Sequence, residues 1–299
     1  MVQNGILLID KAEGPSSAQV VHRVKTVLSA KKVGHLGTLD PFASGLLLLG
    51  VNEGTKIADI FLRATKSYRG IMVLGVETDS QDSTGSVVEV RPVPTVGENE
   101  IGMLKKKFTG DLQQIPPMFS ALKRDGVRLY RLARQGKNIP REPRSIRVEA
   151  LELKKLENDK IEFDVTCSRG TYIRTLAADM GKVLGCGAHL KSLRRRSCGH
   201  LAVEQAITLD ELEQMHSKEI IPLVSLPAAL SHLRSITWES RWLSRLRLGQ
   251  QEILAQIGKL LDGEKLVNIL DSRGNLVALV EWTAVTPGGR WRLFRVFHS

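Results

Sequence analysis

The chain has 299 residues, and 43 lysines and arginines stand against 32 aspartates and glutamates for a net charge of +11. Hydrophobic residues are 42% and charged residues 25%, a globular composition that excludes a disordered or fibrous chain and needs no disulfide or metal staples. The charge favours a polyanionic partner, nucleic acid or an anionic membrane surface, while the longest apolar run, Gly45 to Val51, is too short to span a bilayer.

In chain order, the opening MVQNGILLIDKAEG lacks the basic region and small-residue cleavage site of a signal peptide. Ile6 to Asp10 reads as a buried strand. A helix follows, capped by Ser16 or Ser17, with Val20, Val21, Val24, Val27 and Leu28 on one face. A glycine-punctuated loop, Gly34 to Gly45, leads into the apolar run Leu46 to Leu49. Residues 69–76 and 86–90 read as strands, with turn signals at Asp79, Asp82 and Gly85. Residues 100–108 read as a basic helix.

The segment 109–147 differs in kind. Pro116-Pro117 breaks regular structure, and from Lys105 to Arg147 there are 12 lysines and arginines against Asp111, Asp125 and Glu142, a net +9. Ile161, Phe163 and Val165 alternate as in a strand. A helix spans about Thr171 to Leu184, and Lys191 to Arg196 forms a second basic cluster. Pro222 and Pro227 mark a linker near 220–232. Beyond it, strands at Leu266–Leu270, Leu276–Glu281 and Trp291–Phe297, with a turn at Asp271–Asn275, predict a small β-barrel or sandwich. The expected division is 1–228 and 229–299. Cys167, Cys186 and Cys198 form no CxxC pair and read as three reduced thiols, neither a disulfide framework nor a zinc site.

The stretch Gly34-His35-Leu36-Gly37-Thr38-Leu39-Asp40-Pro41 holds a histidine and a carboxylate five residues apart. Taken alone it reads as an Asx turn beside a solvated histidine. It is not a P-loop, because GxxxxGK[ST] is absent.

Several segments together carry more information: LLIDKAEGPSS, GHLGTLDPFASGLLLL, NEGTK, IPPMFSALKRDGVRLYRLARQGK and CSRGTYIRTLAADMGKVLGCGAHLKSLRR. Over residues 5 to about 200 the chain resembles the TruB family of tRNA pseudouridine-55 synthases, and its C-terminal part resembles, more loosely, a PUA-type RNA-binding module. The resemblance implies an α+β fold: a mixed, largely antiparallel sheet flanked by helices, with a small C-terminal β-barrel. It implies isomerisation of a uridine in the tRNA T loop, by breaking N1–C1′ and forming C5–C1′. It implies no cofactor and no metal, no membrane, a monomer, and a cytoplasmic setting.

Residue by residue, Asp40 matches the family's catalytic aspartate and Arg174 the arginine that pairs with it. Tyr68 matches the base-stacking tyrosine and Tyr172 a second pocket tyrosine. His35 matches a histidine that contacts the T loop, Leu193 an apolar wall against the uracil, and Lys11 a motif lysine that is structural or phosphate-facing. The segment 109–147 matches an inserted loop that closes over the T arm, with Arg128, Arg131, Arg134 and Lys137 as its RNA-clamping residues. The family pattern is departed from at Ala12 (usually proline), Phe119 (commonly tyrosine) and Arg196 (usually apolar). Two other readings are a guide-dependent, dyskerin-like synthase and a protein that holds or remodels tRNA without modifying it.

Overall fold

The structure, a computed structural model, describes residues 3–216, 218, 220–258, 264–284 and 289–298, so parts of the expected C-terminal module lie outside the described residues. Strand β1 (Gly5–Lys11) is followed by α1 (Ser17–Leu28), whose N-cap is Ser16, with Gln19 closing a capping box. Then come β2 (Val33–His35), β3 (Ser44–Val51), α2 (Ala58–Arg63) and β4 (Lys66–Leu74). A small hairpin, β5 (Val76–Thr78) and β6 (Val87–Val90), precedes α3 (Glu98–Lys107) and β7 (Gly110–Gln114).

The basic segment carries a second hairpin, β8 (Lys123–Arg124) and β9 (Val127–Arg128), and a short helix, α4 (Leu129–Ala133). Its tight turn fits Asp125-Gly126, both at positive φ. Strands β10 (Arg144–Glu157) and β11 (Lys160–Cys167) then lead to α5 (Ile173–Val183), β12 (Ala188–Cys198), β13 (Leu201–Ala202) and α6 (Leu209–His216). The C-terminal region holds α7 (Leu226–Ala229), β14 (Arg234–Thr237), α8 (Ser240–Arg247), β15 (Leu266–Leu270), β16 (Leu276–Ala284) and β17 (Gly289–Val296).

One large sheet runs β1-β3-β12-β4-β11-β10-β7, with β2 and β13 attached at β3 and β12. Within it only the β3–β12 pair is parallel, so the expected largely antiparallel, mixed sheet is what forms. Strands β1 and β3, at one end of this order, are buried on both faces. In β1, Leu7 and Ile9 enter one core while Ile6 and Leu8 enter the other, and β3 divides Leu47 and Leu49 from Leu46 and Leu48 in the same way. This is the two-residue period of a strand read as two cores. The first core is covered by α1 (Val20, Val24, Leu28), α3 (Ile101, Leu104) and α5 (Leu176, Ala177, Met180).

The second core joins Ile57 and Phe61 to Leu226 and Leu230 and to Leu276, Leu279 and Phe297 of the C-terminal sheet. That sheet is β14-β15-β16-β17, open and four-stranded among the described residues, so the expected barrel is an open sheet here. Four strands are too few to close at the usual tilt, and burial of both faces replaces closure. One face packs on the second core; the other carries its own core of Trp238, Leu243, Leu246, Ile253, Leu254 and Trp291. Arg295 reaches Asp59 at 3.0 Å, and Lys56 donates to the Val296 carbonyl at 2.8 Å, tying β17 to the region around α2.

The segment expected at 109–147 begins and ends as strand. Gln114 pairs with Arg144 and Gly110 with Val148, so the part that projects from the sheet is 115–143. The basic cluster 191–196 lies wholly within β12. All three cysteines are free and buried, and burial pushes the Cys167 thiol up to about 11, which makes it inert. No helix among the described residues is long and apolar enough to cross a membrane.

Candidate active site

The loop between β2 and β3 carries Asp40, and short contacts from four sides fix its path. The Ser17 hydroxyl donates to the Leu39 carbonyl and accepts from the Leu39 N–H, both at 2.8 Å. Gly14 N–H donates to the Pro41 carbonyl at 2.8 Å. Lys11, 1% exposed at the end of β1, donates Nζ to the carbonyls of Ala12, Pro15 and Pro41 at 2.8, 2.9 and 3.2 Å. On the fourth side, the Arg195 guanidinium of β12 donates to the Gly37 and Thr38 carbonyls. The GPSS motif and the motif lysine therefore act locally, as ties on the Asp40 loop. Ala12, in place of the usual proline, contributes its carbonyl, which any residue would supply. Leu39, Phe42 and Ala43 drop into the first core behind the loop.

Arg174, on the first turn of α5, meets this loop from the opposite wall. Its Nε lies 3.0 Å from Asp40 Oδ2. The rest of the guanidinium is engaged in the interior: Nη1 donates to the Ser80 carbonyl at 2.9 Å and to Asp82 Oδ2 at 3.1 Å, and Nη2 donates to the Phe119 carbonyl at 2.9 Å. Asp82 is itself saturated, since its Oδ1 accepts from the Ser80 hydroxyl, the Thr84 hydroxyl and the Thr84 N–H. Asp82 is a site residue that the sequence presents only as a turn former. Its Asx-turn spacing to Thr84 is visible there; its partner 92 residues away is not.

Exposure separates the two ion pairs. The side chains of Arg174 and Asp82 are 6% and 4% exposed, whereas Asp40 keeps 38%. Asp40 thus keeps a face open to an incoming group while its partner is enclosed. Enclosure by protein pushes its carboxyl up; Arg174 and Lys11 hold it down, and Asp82 adds to the rise. Burial brings the Lys11 ammonium down to about 8, against the attraction of Asp40.

Tyr172 lies beside this pair, whereas Tyr68 lies across the sheet ladder beside Arg195. Tyr172 caps α5, and its backbone is clasped by Gln114, which accepts from Tyr172 N at 2.8 Å and donates to Tyr172 O at 3.0 Å. Burial pushes its phenol up. Tyr68, on β4, faces Arg195 of β12 across the ladder. Its ring packs on the first core beside Leu193, and burial pushes its phenol up to about 12. Leu193 is buried, as an apolar wall requires. His35 ends β2; its Nδ1 is buried without a partner among the described residues, and burial together with Arg195 lowers its pKa.

Asp40, Arg174, Lys11 and Tyr172 thus share one electrostatic neighbourhood, and Tyr68, His35 and Leu193 gather around Arg195 and the first core. Arg128, Arg131, Arg134 and Lys137 stand apart on the projecting segment, all exposed and without a carboxylate at ion-pair distance among the described residues. There the Arg134 guanidinium sits over the Tyr130 ring at 5.6 Å, and Arg131 and Arg128 lower the Tyr130 phenol. The root of this segment touches the ionic pair directly, because the Phe119 carbonyl holds Arg174 and the Ser120 carbonyl accepts from Tyr130 N at 3.1 Å. Phe119 uses its backbone here, so the hydroxyl missing relative to tyrosine does not disturb this contact. Arg196 faces Glu204 at 3.5 Å.

The family model for the N-terminal domain of TruB family pseudouridylate synthases matches residues 25–173, and that for the C-terminal domain of tRNA pseudouridylate synthase B matches 174–230. The tRNA pseudouridine synthase B of Geotalea uraniireducens is 40% identical over 98% of this chain and 95% of its own. The chain belongs to the TruB family. The enzyme of the same name from Geobacter sulfurreducens is 45% identical over 248 residues, 82% of each chain. Among solved structures, an H/ACA RNP bound to a substrate RNA containing 2′-deoxyuridine superposes with a TM-score of 0.74 at 25% identity, covering 99% of this chain and 85% of that one. The TruB-family chain is accordingly a pseudouridine synthase, an isomerase.

Proposed function

We propose that this protein converts the uridine at position 55 in the T loop of tRNA to pseudouridine, acting alone and without a guide RNA. The observation that carries the reading is the asymmetric pair of Asp40 and Arg174. A carboxylate left partly open is aimed by a guanidinium whose every other contact is internal. A protein that only held RNA would gain nothing from a carboxylate facing a polyanion. Identity of 40–45% to tRNA pseudouridine synthases B, against 25% to the H/ACA RNP, favours the stand-alone form.

In this reading the projecting segment captures the T arm by its phosphates through Arg128, Arg131, Arg134 and Lys137. The target base leaves its stack and enters the cleft. Tyr68 stacks on it, worth roughly 1–3 kcal/mol, while Leu193 closes the apolar wall and Tyr172 and His35 line the entrance. Asp40, ionised beside Arg174, acts at the sugar, either as nucleophile or as base. The N1–C1′ bond breaks, the uracil turns, and C5 bonds to C1′. The C5 proton leaves and N1 takes one up, so substrate and product are isomers. No cofactor and no metal enters this scheme.

The chain divides near residue 228. The separate core under β14–β17 supports reading 229–299 as a PUA-like RNA-binding module beside the synthase domain. A monomer in the cytoplasm, with tRNA as partner, completes the reading. The test is incubation of purified protein with a T-arm RNA tritiated at uridine C5, with chelator and no guide. Tritium release at a substoichiometric enzyme level is expected; retention of the label would remove the proposal.

A further inference from the structure

Three arginines occupy adjacent positions in β12, and their surroundings differ. Arg194 makes a bidentate contact with Asp10 at 2.9 and 2.7 Å, and Arg196 faces Glu204. Arg195, between them, is 3% exposed and has no carboxylate at ion-pair distance among the described residues. A buried cation normally needs an acid or a full set of hydrogen bonds. Arg195 has hydrogen bonds from all three of its nitrogens, each to a backbone carbonyl around one loop. Its Nε donates to the Leu46 carbonyl at 2.7 Å, Nη1 to Thr38 at 3.2 Å and Nη2 to Gly37 at 3.1 Å.

Those carbonyls lie on both sides of Asp40, so the guanidinium joins the two ends of the loop that presents it. Across the ladder Arg195 is directly paired with Tyr68, and its positive charge bears on the Tyr68 phenol. Even its backbone is engaged. Gly45 pairs with Arg195 in the parallel β3–β12 register at φ +99°, and a Cβ there would collide with the Arg195 carbonyl. Leu193, two residues earlier, points to the same side of the strand.

We infer that Arg195 is a positioning residue, setting the Asp40 loop and Tyr68 at a fixed distance from each other. The inference rests on the proposed function for its catalytic meaning. A planar fork can span three carbonyls at fixed angles, whereas an ammonium on a flexible stem holds them one at a time. The charge can be kept while the geometry is lost, and that separates positioning from simple charge balance.

The test compares wild type with Arg195→Lys, which keeps the charge, and with Arg195→Gln, in the full-length protein. Single-turnover tritium release, filter-binding affinity for the T-arm RNA, and hydrogen exchange by mass spectrometry are measured on each. The single-turnover rate is expected to fall at least 30-fold in Arg195→Lys, with RNA affinity within threefold of wild type. Exchange should quicken in peptides covering 36–46 and stay unchanged in β11. A rate within threefold of wild type in Arg195→Lys overturns the inference. So does a uniform loss of protection across β11 and the loop, the signature of a merely structural role. Should Arg195→Gln fail to fold, the lysine variant carries the decision. An inactive wild type would instead strike the proposed function, and the exchange pattern would still decide whether Arg195 holds the loop.

Discussion

Arg174 Nε and Asp40 Oδ2 meet at 3.0 Å with opposite access to solvent, the cation 6% exposed and the carboxylate 38%. The buried partner is anchored elsewhere by Asp82 and two carbonyls, so the pair does not depend on Asp40 to keep Arg174 in place.

Asp40→Asn is therefore expected to lower the single-turnover rate by about a thousandfold or more while RNA affinity stays within threefold, as removal of a group acting at the reacting centre does. Stability should move the other way. An acid whose folded pKa is raised above 3.8 binds more protons folded than unfolded between the two values. Above that window its charge burdens the fold, so Asp40→Asn should melt higher than wild type at pH 7. The advantage should vanish below pH 3.8. Calorimetric melting at the two pH values, beside tritium release, checks both halves.

Lys11 sets the alkaline side of the pH profile. As its ammonium deprotonates near pH 8, its charge-assisted grip on the carbonyls around the Asp40 loop weakens, and a counter-charge to Asp40 disappears. Single-turnover rates should decline through about pH 8, and Lys11→Met should be slower and lack this limb. The stability sign is opposite. With the folded value near 8 and the unfolded one near 10.5, the unfolded chain holds more protons between them, so this group's contribution to stability rises with pH there. Tyr68, near 12, contributes no limb in the same range.

Asp82→Asn tests the interior end of the network. It leaves Arg174 without its buried counter-ion, which typically destabilises by about 3–5 kcal/mol. A rate at least tenfold below wild type and a matching drop in the urea midpoint are expected. Unchanged values for both would mean that the Ser80 and Phe119 carbonyls suffice to hold Arg174.

Replacing Arg128, Arg131, Arg134 and Lys137 together by glutamine should lessen the slope of log affinity against log salt by roughly 3, at about 0.7–0.9 for each phosphate no longer neutralised. The rate at saturating RNA should stay within about threefold, because these side chains stand clear of Asp40. Filter binding across a salt series provides the slope; an unaltered one would place the phosphates elsewhere.

Local signals carry far in this chain. An apolar run locates β1, alternation locates β11, the serine cap locates α1, and the motif residues Asp40 and Arg174, 134 positions apart in sequence, meet as an ion pair. What stays hidden are roles set by distant partners. Asp82 looks like a turn aspartate and is also the buried mate of Arg174. Arg195 looks like one charge among several in a solvated run, although strand periodicity turns it inward while Arg194 and Arg196 turn to acids. Among the described residues the C-terminal sheet is open and four-stranded with one face covered by the second core, a fact of packing that no strand count contains.

The Gln114 clasp on Tyr172 and the Phe119 carbonyl on Arg174 have a practical consequence for anyone recombining these enzymes. The projecting segment looks like a detachable appendage, yet the carbonyl of its Phe119 holds the guanidinium that pairs with Asp40. A chimaera that exchanges the arm between homologues should be spliced after Ser120 and before Arg144. A cut made a few residues earlier would transplant a foreign wall into the cleft and change turnover together with affinity.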